Sequence, residues 1–196
     1  MDSRIMHDCR QSLTRLKRGH LMEFVRSIWE NDTDYMTLVE DLLEDEDLLK
    51  LDDITHHHYT TRLIHSLFVS YVSYKIAKRL NLNVRAVARA GLLHDFFHEG
   101  REEIALMNEG SHNCVHPKIA VKNAQRLTEL SELEKDIILK HMFLTTTGVG
   151  IPRYKESFVV TCVDKYCAIN EVSTPVRSKV KQKLSEWSLK LRVVHA

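Results

Sequence analysis

The sequence predicts an all-α fold, a single-domain helical bundle, and three observations point there. Six Gly and three Pro in 196 residues are too few for a loop-rich β-protein or a disordered chain. Apolar residues recur at intervals of three and four along most of the length, the period of an amphipathic helix. No alternation longer than four residues marks a strand, and no internal repeat is visible. With 43% apolar residues the chain can bury one sizeable core, so residues 1–196 are read as one domain.

Taken in order, Leu13, Leu16, Leu21, Phe24, Val25, Ile28 and Trp29 predict a first helix from about Cys9 to Glu30, with Gly19 as a point of bending. Asp32 or Asp34 caps a second helix through Leu49. Further helical patterns cover Tyr59–Leu80, Val84–Asp95, Pro117–Leu130, Glu132–Phe143, Glu156–Glu171 and Val176–Leu191. Asn83 stands at an N-cap, Pro117 suits a first helical position, and Ser131 with Glu134 forms a capping box. The segment TTTGVGIPRYK after Phe143 is the one clear loop.

Composition narrows the function. Lys plus Arg (28) nearly cancel Asp plus Glu (27), so no global charge recruits a nucleic acid or a membrane. Residues 40–53 hold eight acids and one Lys, and the last helix carries Arg177, Lys179, Lys181, Lys183, Lys190 and Arg192 against Glu186. Both read as solvated faces, or as docking surfaces. Cys9, Cys114, Cys162 and Cys167 show no CxxC spacing and read as reduced, mostly buried thiols of a cytoplasmic protein. No apolar run is long enough for a membrane span or a signal peptide.

Twelve histidines are many for this length, and several fall inside apolar helices. The segment AVARAGLLHDFF places His94 and Asp95 in apolar company. SFVVTCVDKYCAI does the same for Asp164, RLIHSLFV for His65, and DIILKHMF for His141. A buried carboxylate needs a compensating charge or takes up a proton. A salt bridge could serve any one of them. A shared cation serves all of them at once, because imidazole and carboxylate chelate together.

His65, the adjacent pair His94-Asp95, and a distant Asp164 on a late helix resemble, in that order, the HD superfamily of metal-dependent phosphohydrolases. The resemblance covers about residues 55–172, leaving helices 9–50 and 176–191 as flanks. It implies an HD-type helical core with His65, His94, Asp95 and Asp164 on one ion. Asp95 would bridge to a second ion on His116 and His141. One or two divalent ions are implied (Mn, Fe, Mg, Co or Ni), with a small phosphorylated, nucleotide-like substrate and metal-activated water as nucleophile. The chain departs from the cyclic-dinucleotide branches: Met142 replaces a second His, and FFHEG stands where a GYP signature would be.

Three residues complete the expected site. His98, four residues after His94, would share its face on a continuing helix and protonate the leaving oxygen or stabilise the phosphate, with Asp95 as the other catalytic group. Arg62 and Lys165 are the phosphate-binding candidates, and Arg153 or Lys155 could reach over the site from the TTTGVGIPRYK loop. His56, His57 and His58 receive no role. Two other readings share these residues: a di-iron oxygenase of the same superfamily, and a non-catalytic metal-stabilised signalling module. A nucleic-acid substrate is disfavoured, since no basic patch is interleaved with aromatics.

Overall fold

A computed structural model describes residues 29–56 and 60–169. The expected helix from Cys9 to Glu30 lies outside the described residues except for its last two, which are helical. The expected helix at 176–191 with its charge face, and His57 and His58, lie outside them entirely.

The chain enters through α1 (Thr33–Val39), capped by Asp32, whose Oδ1 accepts from Tyr35 N at 3.2 Å. The single helix expected through Leu49 is broken after residue 39, and α2 is the short Glu46–Leu49. Two features explain the break. Asp45 turns its carboxylate to the Leu48 amide (2.8 Å) as a new N-cap. Arg89 takes Asp41 through both carboxylate oxygens and adds the Leu38 carbonyl at 3.0 Å. A 3₁₀ turn (Lys50–Asp53) follows, then a two-residue antiparallel pairing of β1 (Thr55–His56) with β2 (Thr60–Thr61). So short a ladder leaves no alternation in sequence. It also delays the next helix, α3 (Arg62–Leu80), to Thr61, whose hydroxyl accepts from Ile64 N at 3.3 Å.

Next comes α4 (Val84–Leu93), with every residue from Ala86 to Leu93 buried. It is the central helix and packs on α3, on α1, on α6 (His112–Leu127) and on α7 (Glu132–Lys140). Gly91 lets α3 and α4 approach: a Cβ there would stand 3.0 Å from the Ser70 Cα. Beside it the Tyr35 hydroxyl donates to Ser70 Oγ at 2.9 Å, and Ser70 donates to the Ala88 carbonyl at 2.6 Å, linking α1, α3 and α4.

A short helix absent from the sequence reading, α5 (Arg101–Leu106), lies between α4 and α6. Its six residues are too few to show a period, and Glu103 secures its start by accepting from Gly100 N at 2.6 Å. Helix α6 begins at His112, so Pro117 sits inside it and not at its first turn. The Ser131–Glu134 capping box of α7 is formed. Residues 155–169 make the last described helix, α8. The preceding loop is fastened to α7, because Asp136 accepts from Arg153 N (2.9 Å) and Ser157 Oγ (2.7 Å) while Lys140 donates to the Ile151 carbonyl (2.8 Å). Among the described cysteines, Cys167 is buried, Cys114 is half-buried and Cys162 is exposed. The expected burial therefore fails for Cys162. No helix among the described residues is long and apolar enough to cross a membrane.

Candidate metal centre

Five elements deliver six buried polar side chains to one place. His65 comes from the first turn and a half of α3, and His94 caps the C-terminus of α4 with Asp95 directly after it. His116 lies on α6, His141 caps the C-terminus of α7, and Asp164 lies on α8. All six are less than a tenth exposed. Their donor atoms fall into three overlapping groups, each within 4.8 Å: His65, His94, Asp95; His94, His141, Asp164; and Asp95, His116, His141.

The rings are oriented by the ends of their own helices. Nδ1 of His94 lies 2.8 Å from the Gly91 carbonyl, that of His116 2.8 Å from the His112 carbonyl, and that of His141 2.8 Å from the Ile138 carbonyl. A carbonyl only accepts, so each Nδ1 carries the proton and each neutral ring turns a lone pair inward on Nε2. The consequence is a conflict inside the cluster. Nε2 of His116 and Nε2 of His141 stand 3.0 Å apart, two acceptors facing each other. Asp95 Oδ1 adds negative charge 3.4 Å from the first and 3.5 Å from the second. Neither Asp95 Oδ1 nor His94 Nε2 has a hydrogen-bond partner. Across the cluster Asp164 Oδ1 lies 3.1 Å from His65 Nε2 and 3.8 Å from His94 Nε2.

The ionisation pattern suits a cation. Burial pushes His94 down to about 4 and His116 down to about 3, against the pull of Asp95 on both. Both rings are neutral at ordinary pH. Burial opposes ionisation of Asp95 and Asp164, but the surrounding histidines, with Lys165 beside Asp164, outweigh it and hold both carboxyls below the usual range. A neutral-imidazole and carboxylate set with inward lone pairs fits a divalent ion.

Comparison with known proteins places this arrangement. The HD-domain family matches residues 62–169. The chain belongs to the HD-domain family. A deoxyguanosinetriphosphate triphosphohydrolase-like protein of Caldanaerobacter subterraneus subsp. tengcongensis is 32% identical over 133 residues, 63% of this chain and 38% of that protein. The chain thus spans about two fifths of the length of this curated relative. No solved structure matches it.

Within this HD domain the other expected residues fare differently. Helix α4 ends before His94, so the continuing helix that would align His98 with it does not exist. His98 is exposed, its ring edge-on to Phe96 at 5.9 Å. It lines a surface cleft of about 180 Å³ with Asp45, Asp47, Glu99, Asn123 and Arg126, and none of the six cluster residues lines that cleft. Lys165 is placed at the cluster: its Nζ is 2.7 Å from Asp164 Oδ2 and 2.7 Å from Met142 Sδ. Arg62 is buried over the Phe97 ring (3.7 Å), donates to the Phe97 carbonyl and feels the charge of Asp95. Arg153 and Lys155 are exposed, and the charge of Arg153 falls on Glu132. The sequence reading missed His112 and Phe97. His112 stands one turn before His116 with the rings 4.9 Å apart. That four-residue spacing was the available signal, obscured when Pro117 was taken as a helix start.

Proposed function

We propose that this HD-domain protein is a metal-dependent phosphohydrolase acting on a small nucleotide-like phosphate ester. The observation that carries the reading is the facing pair of unprotonated Nε2 atoms on His116 and His141, 3.0 Å apart beside the unpartnered Asp95 Oδ1. Among the described residues no protein cation fills that place, and a bound divalent ion resolves the conflict. His65, His94, Asp95 and Asp164 would hold one such ion, and Asp95, His116 and His141 could hold a second. The HD-domain match supports this at the level of the family, and the triphosphohydrolase-like relative supports a nucleotide.

Divalent ions bound there supply Lewis acidity toward a phosphoryl oxygen and toward an attacking water. The chain's own residues do the rest. Asp95, held ionised, would help to orient the attacking water as a hydrogen-bond acceptor. Arg62 brings a fixed positive charge to the developing phosphoryl charge. Lys165 neutralises and orients Asp164 from the side away from His65, so it acts as a positioning residue. His94 and His116 stay neutral because burial keeps them so.

Elemental analysis of the purified protein, combined with a screen of nucleoside mono-, di- and triphosphates and of phosphodiesters, tests the proposal. Divalent metal near stoichiometric and chelator-sensitive phosphate release are expected, both lost in Asp95→Asn. Iron together with oxygen consumption and no phosphate release would overturn it in favour of an oxygenase.

A further inference from the structure

Two enclosed nitrogens outside the six-residue cluster have no partner, and both belong to residues packed on one phenylalanine. The Arg62 guanidinium lies 3.7 Å from the centre of the Phe97 ring, and one of its Nη atoms donates to the Phe97 carbonyl. Arg62 is only 8% exposed, and its Nε makes no hydrogen bond. The His112 ring meets the same phenyl ring at 5.7 Å and 66°, and His112 Nδ1 is likewise enclosed without a partner. His112 and His116 are one turn apart on α6, so they share a face. His112 belongs to none of the three metal-binding groups. Phe97, 2% exposed and packed with Ile104 and Val115, is therefore a post that fixes two nitrogen donors next to the ion cluster.

Leaving two enclosed nitrogens unmet is costly. An acceptor-rich anion meets both, and Arg62 and Arg101 place positive charge on His112 against the negative charge of Asp95. Glu99, which with Asp95 acts electrostatically on Arg62, is occupied by its own loop, accepting from His98 N at 3.0 Å. We propose that His112 and Arg62 form a phosphate subsite on Phe97, with His112 donating through Nδ1 to a phosphoryl oxygen of the substrate. The proposal deepens the phosphohydrolase reading and rests on it.

Inorganic phosphate titrated calorimetrically into the manganese-loaded full chain, with metal content measured in parallel, tests this. His112→Ala is expected to weaken phosphate binding about tenfold at unchanged metal content. His112→Asn, whose amide N–H can stand where Nδ1 does, is expected to recover most of it. Wild-type phosphate affinity in a fully metallated His112→Ala overturns the subsite and leaves a water as the partner of Nδ1. Metal loss in both His112 variants overturns it too, since the residue then acts through the ions. A wild-type chain that takes up no metal sinks the phosphohydrolase reading itself, a result distinct from either.

Discussion

His94 and His116 titrate far below an ordinary imidazole because a buried positive ring has nowhere to put its charge, and this sets the acid behaviour of the metal-free protein. Their pKa values, about 4 and about 3, lie below the unfolded value of about 6.5. Between those limits the unfolded chain binds protons that the folded chain refuses, so stability falls as pH falls. The contribution is complete above about pH 6.5 and is lost on the way down to the folded values, at roughly 1.4 kcal/mol per pH unit for each ring. Urea midpoints of chelator-treated protein from pH 7.5 to 4.5 are expected to drop steadily; a flat profile would place these rings in solvent. His98 calls for a different expectation, because its side chain is exposed and packs on Phe96. His98→Gln is expected to keep its metal and change turnover by less than about threefold. A loss on the order of a hundredfold would reinstate it as the proton donor.

At the scale of elements, the ligands depend on how closely the helices bearing them pack. Gly91 is where this is tightest, with room for no Cβ between α4 and the α3 backbone at Ser70. Gly91→Ala is expected to push α3 from α4 and cost about 1–3 kcal/mol. Because His65 rides on α3 and His94 ends α4, metal affinity should fall with it. Competition against a chromogenic chelator measures that directly, and an unchanged affinity would show that the helices move without disturbing the ligands. The sequence marked the helices whose apolar period runs for three turns or more, α3, α4 and α7 among them. It missed α5, too short to show a period, and the β1–β2 ladder, set by two residues on each side. It misplaced the start of α6 because proline is favoured in a first turn but tolerated further in when packing holds the helix. That error hid His112. The continuation of α4 through His98 failed for another reason: a C-cap histidine bound to its own Gly91 carbonyl ends the helix, and apolar flanks alone do not reveal a cap.

For the whole molecule, the all-α fold class was legible from apolar periodicity, and the cluster was legible because burial makes ionisable residues conspicuous. His65, His94, Asp95, His141 and Asp164 stood out as polar side chains in apolar helices, His116 came from the family resemblance, and all six are buried together. What sequence could not give was mutual geometry: the Nε2 atoms facing at 3.0 Å, or Lys165 bound to Asp164 and Met142. That geometry makes the centre a structural joint. It draws on α3, α4, α6, α7 and α8 at once, and without a cation it gathers acceptors that repel one another. Ions binding only the folded state add RT ln(1 + [L]/Kd), about 2.7 kcal/mol at a hundredfold excess over Kd. For a chain of this size each kcal/mol is worth about 2–4 °C. Manganese is therefore expected to raise the melting temperature of the chelator-treated protein by about 5–10 °C, with the rise growing as free metal increases. His141→Ala removes one of the two facing nitrogens, so it relieves part of the apo-state repulsion while deleting a ligand. Its metal-free form should lose little stability beyond the cavity it leaves, yet gain far less from manganese than the wild type does. Equal manganese shifts in the two proteins would mean that the ion binds elsewhere, and that the five helices are held together without it.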